Sequence, residues 1–269
     1  MNIINRKGIN LLQFSIFPDK NLFHFTTTIE GGVSDGNYST FNLGLYSGDN
    51  IEHIAENRER LAKSLDIPEE KIYVPYQTHG NKIHIIDKLF LLKSDLEQIQ
   101  LLNGVDALIT NQKEICIGVT TADCVPVLLY DSTKEILAVA HAGWKGTVQH
   151  ITATTVERIK QEYDCKAQDI MAGIAPAISP EYFEVGNEVY DALALAGFEM
   201  EKISFRNPDT GKYHINLWEA NRLQLINAGV LPEHIELSNL CTYKNADTFF
   251  SARRQTIHSG RMITGGILR

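Results

Sequence analysis

The chain is poor in cysteine: four thiols, Cys116, Cys124, Cys165 and Cys241, are scattered through 269 residues, and no two are spaced C-x-x-C. That excludes a disulfide framework, a zinc ribbon and a dithiol redox motif, and leaves free thiols as the default. The chain also lacks any apolar run approaching the roughly 18 residues of a membrane helix. Its opening stretch, MNIINRKGINLLQFSIF, has polar residues where a signal peptide needs an unbroken apolar segment, so a soluble, cytoplasmic protein without membrane partners is expected. Positive charge is in deficit, with a formal net charge of −8. With no long Lys/Arg cluster to offset it, that balance repels a phosphate backbone and speaks against a nucleic-acid partner. No repeat, low-complexity tract or Pro/Gly/Ser-rich linker divides the sequence, and residues 1–269 are read as a single domain.

What the chain does have is three short segments that each end an apolar run on a reactive side chain. They are PYQTHG with His79, TTADCVPVLLY with Cys124, and AVAHAGWKG with His141. Side chains at strand-to-turn junctions converge at a sheet edge, and the neighbouring glycines let a ligand approach the backbone.

The periodicity predicts a helix over residues 51–64, preceded by a turn-rich stretch over 31–50. IYVPYQ and KIHIID read as strands flanking the THG turn. ICIGVTT and CVPVLLYD read as strands interrupted at Ala122-Asp123, with Pro126 arguing for an edge or a bulge. ILAVAHAG is a further strand, and a helix over about 147–163 follows with its N-terminus toward His141. MAGIAPAIS predicts a strand and loop, EVGNEVYDALALAG a helix, and YHINLWEANRLQLINAG another helix closed by Gly229. Arg253 and Arg254 are expected in a strand, on opposite faces. The fold class expected is α/β to α+β, a layered domain with a mixed, partly antiparallel sheet and flanking helices.

Two imidazoles and a thiolate meet the ligand count of a catalytic zinc site, three protein donors and one open position. Copper outranks zinc in affinity for such a set and is the metal expected to compete in vitro. The plain alternative is three ordinary strand-end residues, since Cys is so often simply buried. A further alternative is a cysteine hydrolase in which Cys124 and His141 form a thiolate-imidazolium pair. A binding module with a purely structural metal is weaker, because structural zinc sites usually close with four protein ligands. A multicopper oxidase is disfavoured by nine histidines with no His-x-His pair.

FNLGLYSGDN, ENRERLA, QTHG, TADCVPVL, HAGWKG, IAPAIS with YFEVG, NLWEANRLQL, and CTYKNADTFFSARR with SGRM occur in order over nearly the whole chain. In these the sequence resembles the YfiH family, also called the multicopper polyphenol oxidase, laccase-domain or purine nucleoside phosphorylase family. The resemblance implies a CNF/YfiH-like fold and a zinc site of His79, Cys124 and His141. It also implies an enzyme that phosphorolyses adenosine, inosine and methylthioadenosine and deaminates adenosine, with a purine nucleoside and phosphate as partners. Similarity to cysteine-type hydrolases and peptidoglycan-precursor editing enzymes keeps the hydrolase alternative open. Lys145 stands where the family commonly has Arg, keeping charge but losing the bidentate fork, and Gln255 stands where Asp is common. For phosphorolysis, phosphate would be held by Lys145, Arg58, Arg253 or Arg254 and by backbone N–H groups after Gly146. Asp123 is the candidate to orient a ligand or donate a proton, and Asn42 is a substrate-side candidate or a turn former. Trp144 is read as a core plug rather than a purine platform.

Overall fold

A computed structural model describes every residue of the chain except Asp19. Its architecture is layered. A first six-stranded sheet runs in the order Asn2–Arg6, Ile9–Gln13, Leu22–Thr27, Met262–Leu268, Cys116–Thr121, Ile72–Tyr73. A second runs Ile235–Leu237, Ile170–Ile174, Val125–Asp131, Ile136–Ala142, Ala107–Thr110, Ile83–Ile86. Both are mixed. The central strand pairs are antiparallel, while the edge strands Ile72–Tyr73 and Ile83–Ile86 run parallel to their neighbours.

The sequence explains this layering. Val125–Asp131 and Ile136–Ala142 are buried at every residue, the signature of strands covered on both faces. On one face Leu128, Tyr130, Leu137 and Val139 meet Ile117 and Val119 of the first sheet. On the other, Val127, Leu129, Ala138 and Ala140 pack with Ile151, Val156 and Ile159 of the helix Ile151–Tyr163 and Leu225 of the helix Leu217–Asn227. The helix Ile51–Leu65 covers the outer face of the first sheet through Leu61, Ala62 and Leu65. Among the described residues no helix is long and apolar enough to cross a membrane.

Several expectations need correction. The helix expected over 147–163 is two helices, Trp144–Val148 and Ile151–Tyr163, broken at His150. His150 has φ of 56°, and its ring stacks on Phe198 and bonds the Ala196 carbonyl. The segment YHI is a strand, Tyr213–Ile215, held between Glu184–Val185 and Ser204–Arg206. The helix begins only after Asn216, whose side chain accepts from the Glu219 amide. Pro126 lies in a central strand. It is tolerated there as the second residue, beyond the last ladder pair with Ile170–Ile174. Arg253 and Arg254 sit in a one-turn helix, Ala252–Gln255, not a strand.

Candidate metal centre and cavity

The chain crosses from the first sheet to the second in two places that matter here. One crossing joins Cys116–Thr121 to Val125–Asp131 and carries Cys124; the other joins Ile72–Tyr73 to Ile83–Ile86 and carries His79. His141 is the penultimate residue of the strand Ile136–Ala142, beside Cys124, since Pro126 pairs with His141 and Val125 with Ala142. The crossings use unusual backbone: φ is 61° at His79 and 94° at Asp123, values that cost a non-glycine residue of order 1–3 kcal/mol and cluster at functional sites.

The ligand atoms of His79, Cys124 and His141 all lie within 4.8 Å of one another, and the two imidazoles meet edge-on. Among the described residues, this is the one such cluster and it has three members. Burial works against a Cys124 thiolate, yet the His141 and His79 rings more than offset it and bring the thiol down to about 6. Burial likewise opposes a His141 imidazolium, but Cys124 and then Asp106 outweigh it and lift the ring to about 9.

Asp106 organises this corner and was missed by sequence reasoning. It is fully buried, and its carboxylate accepts the amides of Thr78, His79 and Gly80 at 3.2, 3.0 and 2.8 Å. The same carboxylate lies 2.8 Å from His141 Nδ1. One buried side chain therefore shapes the THG turn and leaves Nε2 of His141 for a metal, the arrangement in which a carboxylate orients a ligating histidine. The signal was present as a lone acid inside the apolar run GVDALIT. Gly143 was also missed. A Cβ there would sit 3.0 Å from both Cys124 Sγ and His79 Cδ2, so only glycine lets the chain pass behind the ligands.

The donors open onto a cavity of about 360 Å³, to which His79, Cys124 and His141 all contribute. Its lining also includes Leu43–Ser47, Val74–Tyr76, Arg58, Ile257 and Arg261. Tyr46 and Tyr76 meet edge-on at 4.5 Å and are exposed. Arg58 is 7% exposed; its Nε donates to Glu69 at 2.9 Å while Nη1 is buried with no partner among the described residues. Arg261, half-buried, is fixed by donating to the Ser259, Gly260 and Ile257 carbonyls and the Ser259 hydroxyl.

Of the expected helpers, only Arg58 lines this cavity. Asp123 is turned away: its carboxylate accepts from the Thr242 and Ser251 hydroxyls and the Arg253 amide at 2.6, 2.9 and 2.6 Å, so it pins the SARR turn rather than facing a ligand. Asn42 is fully buried and ties the 42–49 loop to the Arg261 amide. The Arg253 side chain binds the Tyr182 and Glu184 carbonyls, and Arg254 those of Thr242, Tyr243 and Phe249. Lys145 is exposed beside the Trp144 ring, and Trp144 packs against the helical core. Gly146 packs against the Gly80 and His141 carbonyls.

Residues 23–269 match the family described as multi-copper polyphenol oxidoreductase laccase. The chain belongs to this family. It is similar to the purine nucleoside phosphorylase of Bacteroides thetaiotaomicron, 45% identical over 93% of each chain. It is also similar to adenosine deaminase RL5 from an unknown prokaryotic organism, 43% identical over 90% of this chain and 92% of the other. Among solved structures, YlmD from Geobacillus stearothermophilus superposes with a TM-score of 0.90 at 32% identity, covering 99% of this chain and 98% of that one. The laccase family's mixed α/β fold is thus this chain's fold.

Proposed function

We propose that the protein is a zinc-dependent purine nucleoside phosphorylase acting on adenosine, inosine and methylthioadenosine, with adenosine deaminase activity. The observation that carries this reading is the His79–Cys124–His141 cluster opening onto a cavity of about 360 Å³, within the roughly 300–1,000 Å³ range of small-molecule sites. Relatives named for those two activities share the family. The donor set suits zinc, because one thiolate and two imidazoles leave the fourth tetrahedral position for a reactant. Copper fits by affinity order, but a blue-copper centre together with a trinuclear cluster needs far more ligands than one cluster of three. A single unit over 1–269 and a cytoplasmic location, where four free thiols stay reduced, belong to the same reading.

Zinc held there would supply Lewis acidity and lower the pKa of water toward about 7. The chain's own groups do the rest. The depressed Cys124 thiol makes the sulfur an anionic donor at neutral pH without external help. Asp106 holds the Nδ1 proton of His141, which fixes the tautomer and the ring plane. Leu43, Val74 and Pro75 give the cavity an apolar stretch suited to a purine face, and the exposed Tyr46 and Tyr76 add aromatic rings to its lining.

A cysteine-hydrolase reading draws on one observation: Cys124, His141 and Asp106 form the nucleophile, base and orienting acid of a triad. His79 argues against it, since a nucleophile needs one imidazole and this sulfur has two. The deciding experiment incubates metal-quantified protein with adenosine, with and without phosphate. Phosphate-dependent adenine and phosphate-independent inosine are expected, and neither product from zinc-loaded protein would overturn the nucleoside reading.

A further inference from the structure

The cavity that takes in His79, Cys124 and His141 also carries two cations on its lining, Arg58 and Arg261, with donors left unused. Arg58 lies on the helix Ile51–Leu65 and is 93% buried, from a residual exposure of 7%. Among the described residues its one hydrogen bond is from Nε to Glu69; Nη1 is buried without a partner, and Nη2 makes no bond and is not sealed off. A buried guanidinium with most of its donors unused is costly, and a ligand that supplies an acceptor relieves that cost. Arg261 stands on the same cavity and is locked in place by four acceptors of the 257–260 segment, while its Nε has no bond among the described residues. Among the described residues Glu69 is the one acid bonded to either guanidinium and no acid lines the cavity, in a protein whose net charge is −8. A positive wall inside an acidic protein, with one guanidinium pre-oriented and the other unsatisfied, matches a tetrahedral oxyanion.

We infer that Arg58 and Arg261 form an inorganic-phosphate subsite, which makes phosphorolysis but not deamination dependent on that wall. The inference rests on the nucleoside reading for its reaction. In that reaction a phosphate oxygen bonds to C1′ as the C1′–N9 bond breaks. The purine leaves with the electron pair and takes up the proton lost from phosphate, giving free base and ribose 1-phosphate. Deamination adds water at C6 and expels ammonia, and calls on no anion.

The test uses metal-loaded wild type with Arg58→Lys, Arg58→Met and Arg261→Lys. Inorganic phosphate is titrated calorimetrically in the absence of nucleoside, and both reactions are followed on adenosine. Loss of charge-assisted hydrogen bonds at Arg58 should raise KM for phosphate about 30-fold and weaken phosphate binding to match. Deamination should fall at least tenfold less than phosphorolysis in the same preparation, which also reports that metal and fold are retained. An unchanged phosphate KM and affinity in both Arg58 variants overturns the inference. So does wild type that binds no inorganic phosphate but takes adenosine 5′-monophosphate through Arg58, since the anion would then be a nucleotide's own phosphate. Wild type that makes neither product yet binds phosphate through Arg58 would overturn the nucleoside reading and support the subsite.

Discussion

The cavity has two unlike walls. The part that carries His79, Cys124 and His141 is built from strand ends and crossovers and braced by the buried carboxylate of Asp106. The other part is built from the 42–49 loop, the segment after Ile72–Tyr73 and the 257–261 turn, with Tyr46, Tyr76 and Ile257 exposed. The first wall is tied together: the buried Asp106 carboxylate holds both the His79 amide and the His141 ring, and His141 also lies in a strand ladder. The second is held by side-chain bridges such as Asn42 to the Arg261 amide. The contrast suggests that chemistry is assigned to the rigid wall and substrate choice to the adaptable one, the usual division between a scaffold and its loops.

Loosening the rigid wall should have the largest effect. Asp106→Asn keeps one acceptor but removes the charge that orients His141, and metal affinity should fall between about 10- and 100-fold by competitive chelation. An unchanged affinity would mean that the carboxylate only shapes the THG turn. The next test concerns the thiol. In metal-free protein the Cys124 thiolate forms as pH rises through about 6, not the ordinary 9, so iodoacetamide labelling should reach half its maximal rate near that lower value. At pH 7 the thiolate fraction would be about 90% rather than about 1%. Bound metal should suppress the labelling, whereas rapid labelling of fully loaded, active protein would favour the hydrolase.

Legibility followed the same division. His79, Cys124 and His141 were readable because each ends an apolar run beside a glycine or an acid. The paired strands around Cys124 and His141 were readable because burial on both faces leaves continuous apolar runs. Asp106 was not, because its role is to satisfy backbone amides about 26 residues away in the chain, a pairing no local pattern encodes. Asp123 misled for the same reason: adjacency to Cys124 suggested chemistry, but at φ of 94° its side chain turns to Thr242 and Ser251. The helix break at His150 depends on a ring stacked on Phe198, again a tertiary contact. The Arg253–Arg254 pair looked extended, yet Ser251 caps a single turn by accepting the Arg254 amide.

Smaller perturbations sharpen the comparison. Gly143→Ala places a methyl 3.0 Å from Cys124 Sγ and His79 Cδ2, and should cost about 1–3 kcal/mol of stability together with roughly tenfold in metal affinity. Thermal unfolding and metal titration check both, and full affinity would show that the two ligands can give way. Lys145→Ala, exposed and outside the cavity, should change stability by less than about 0.5 kcal/mol and leave both activities at wild-type rates. A rise in KM for phosphate in that variant would return Lys145 to the substrate side.

The account stands or falls on whether one metal at His79, Cys124 and His141 serves both reactions. The most direct measurement is metal content and product formation from adenosine, with and without phosphate, in wild type and Cys124→Ala side by side. The account predicts one zinc per chain, adenine only with phosphate and inosine without it, and the loss of zinc and both products together in the variant. A variant that loses zinc but keeps either product would contradict it.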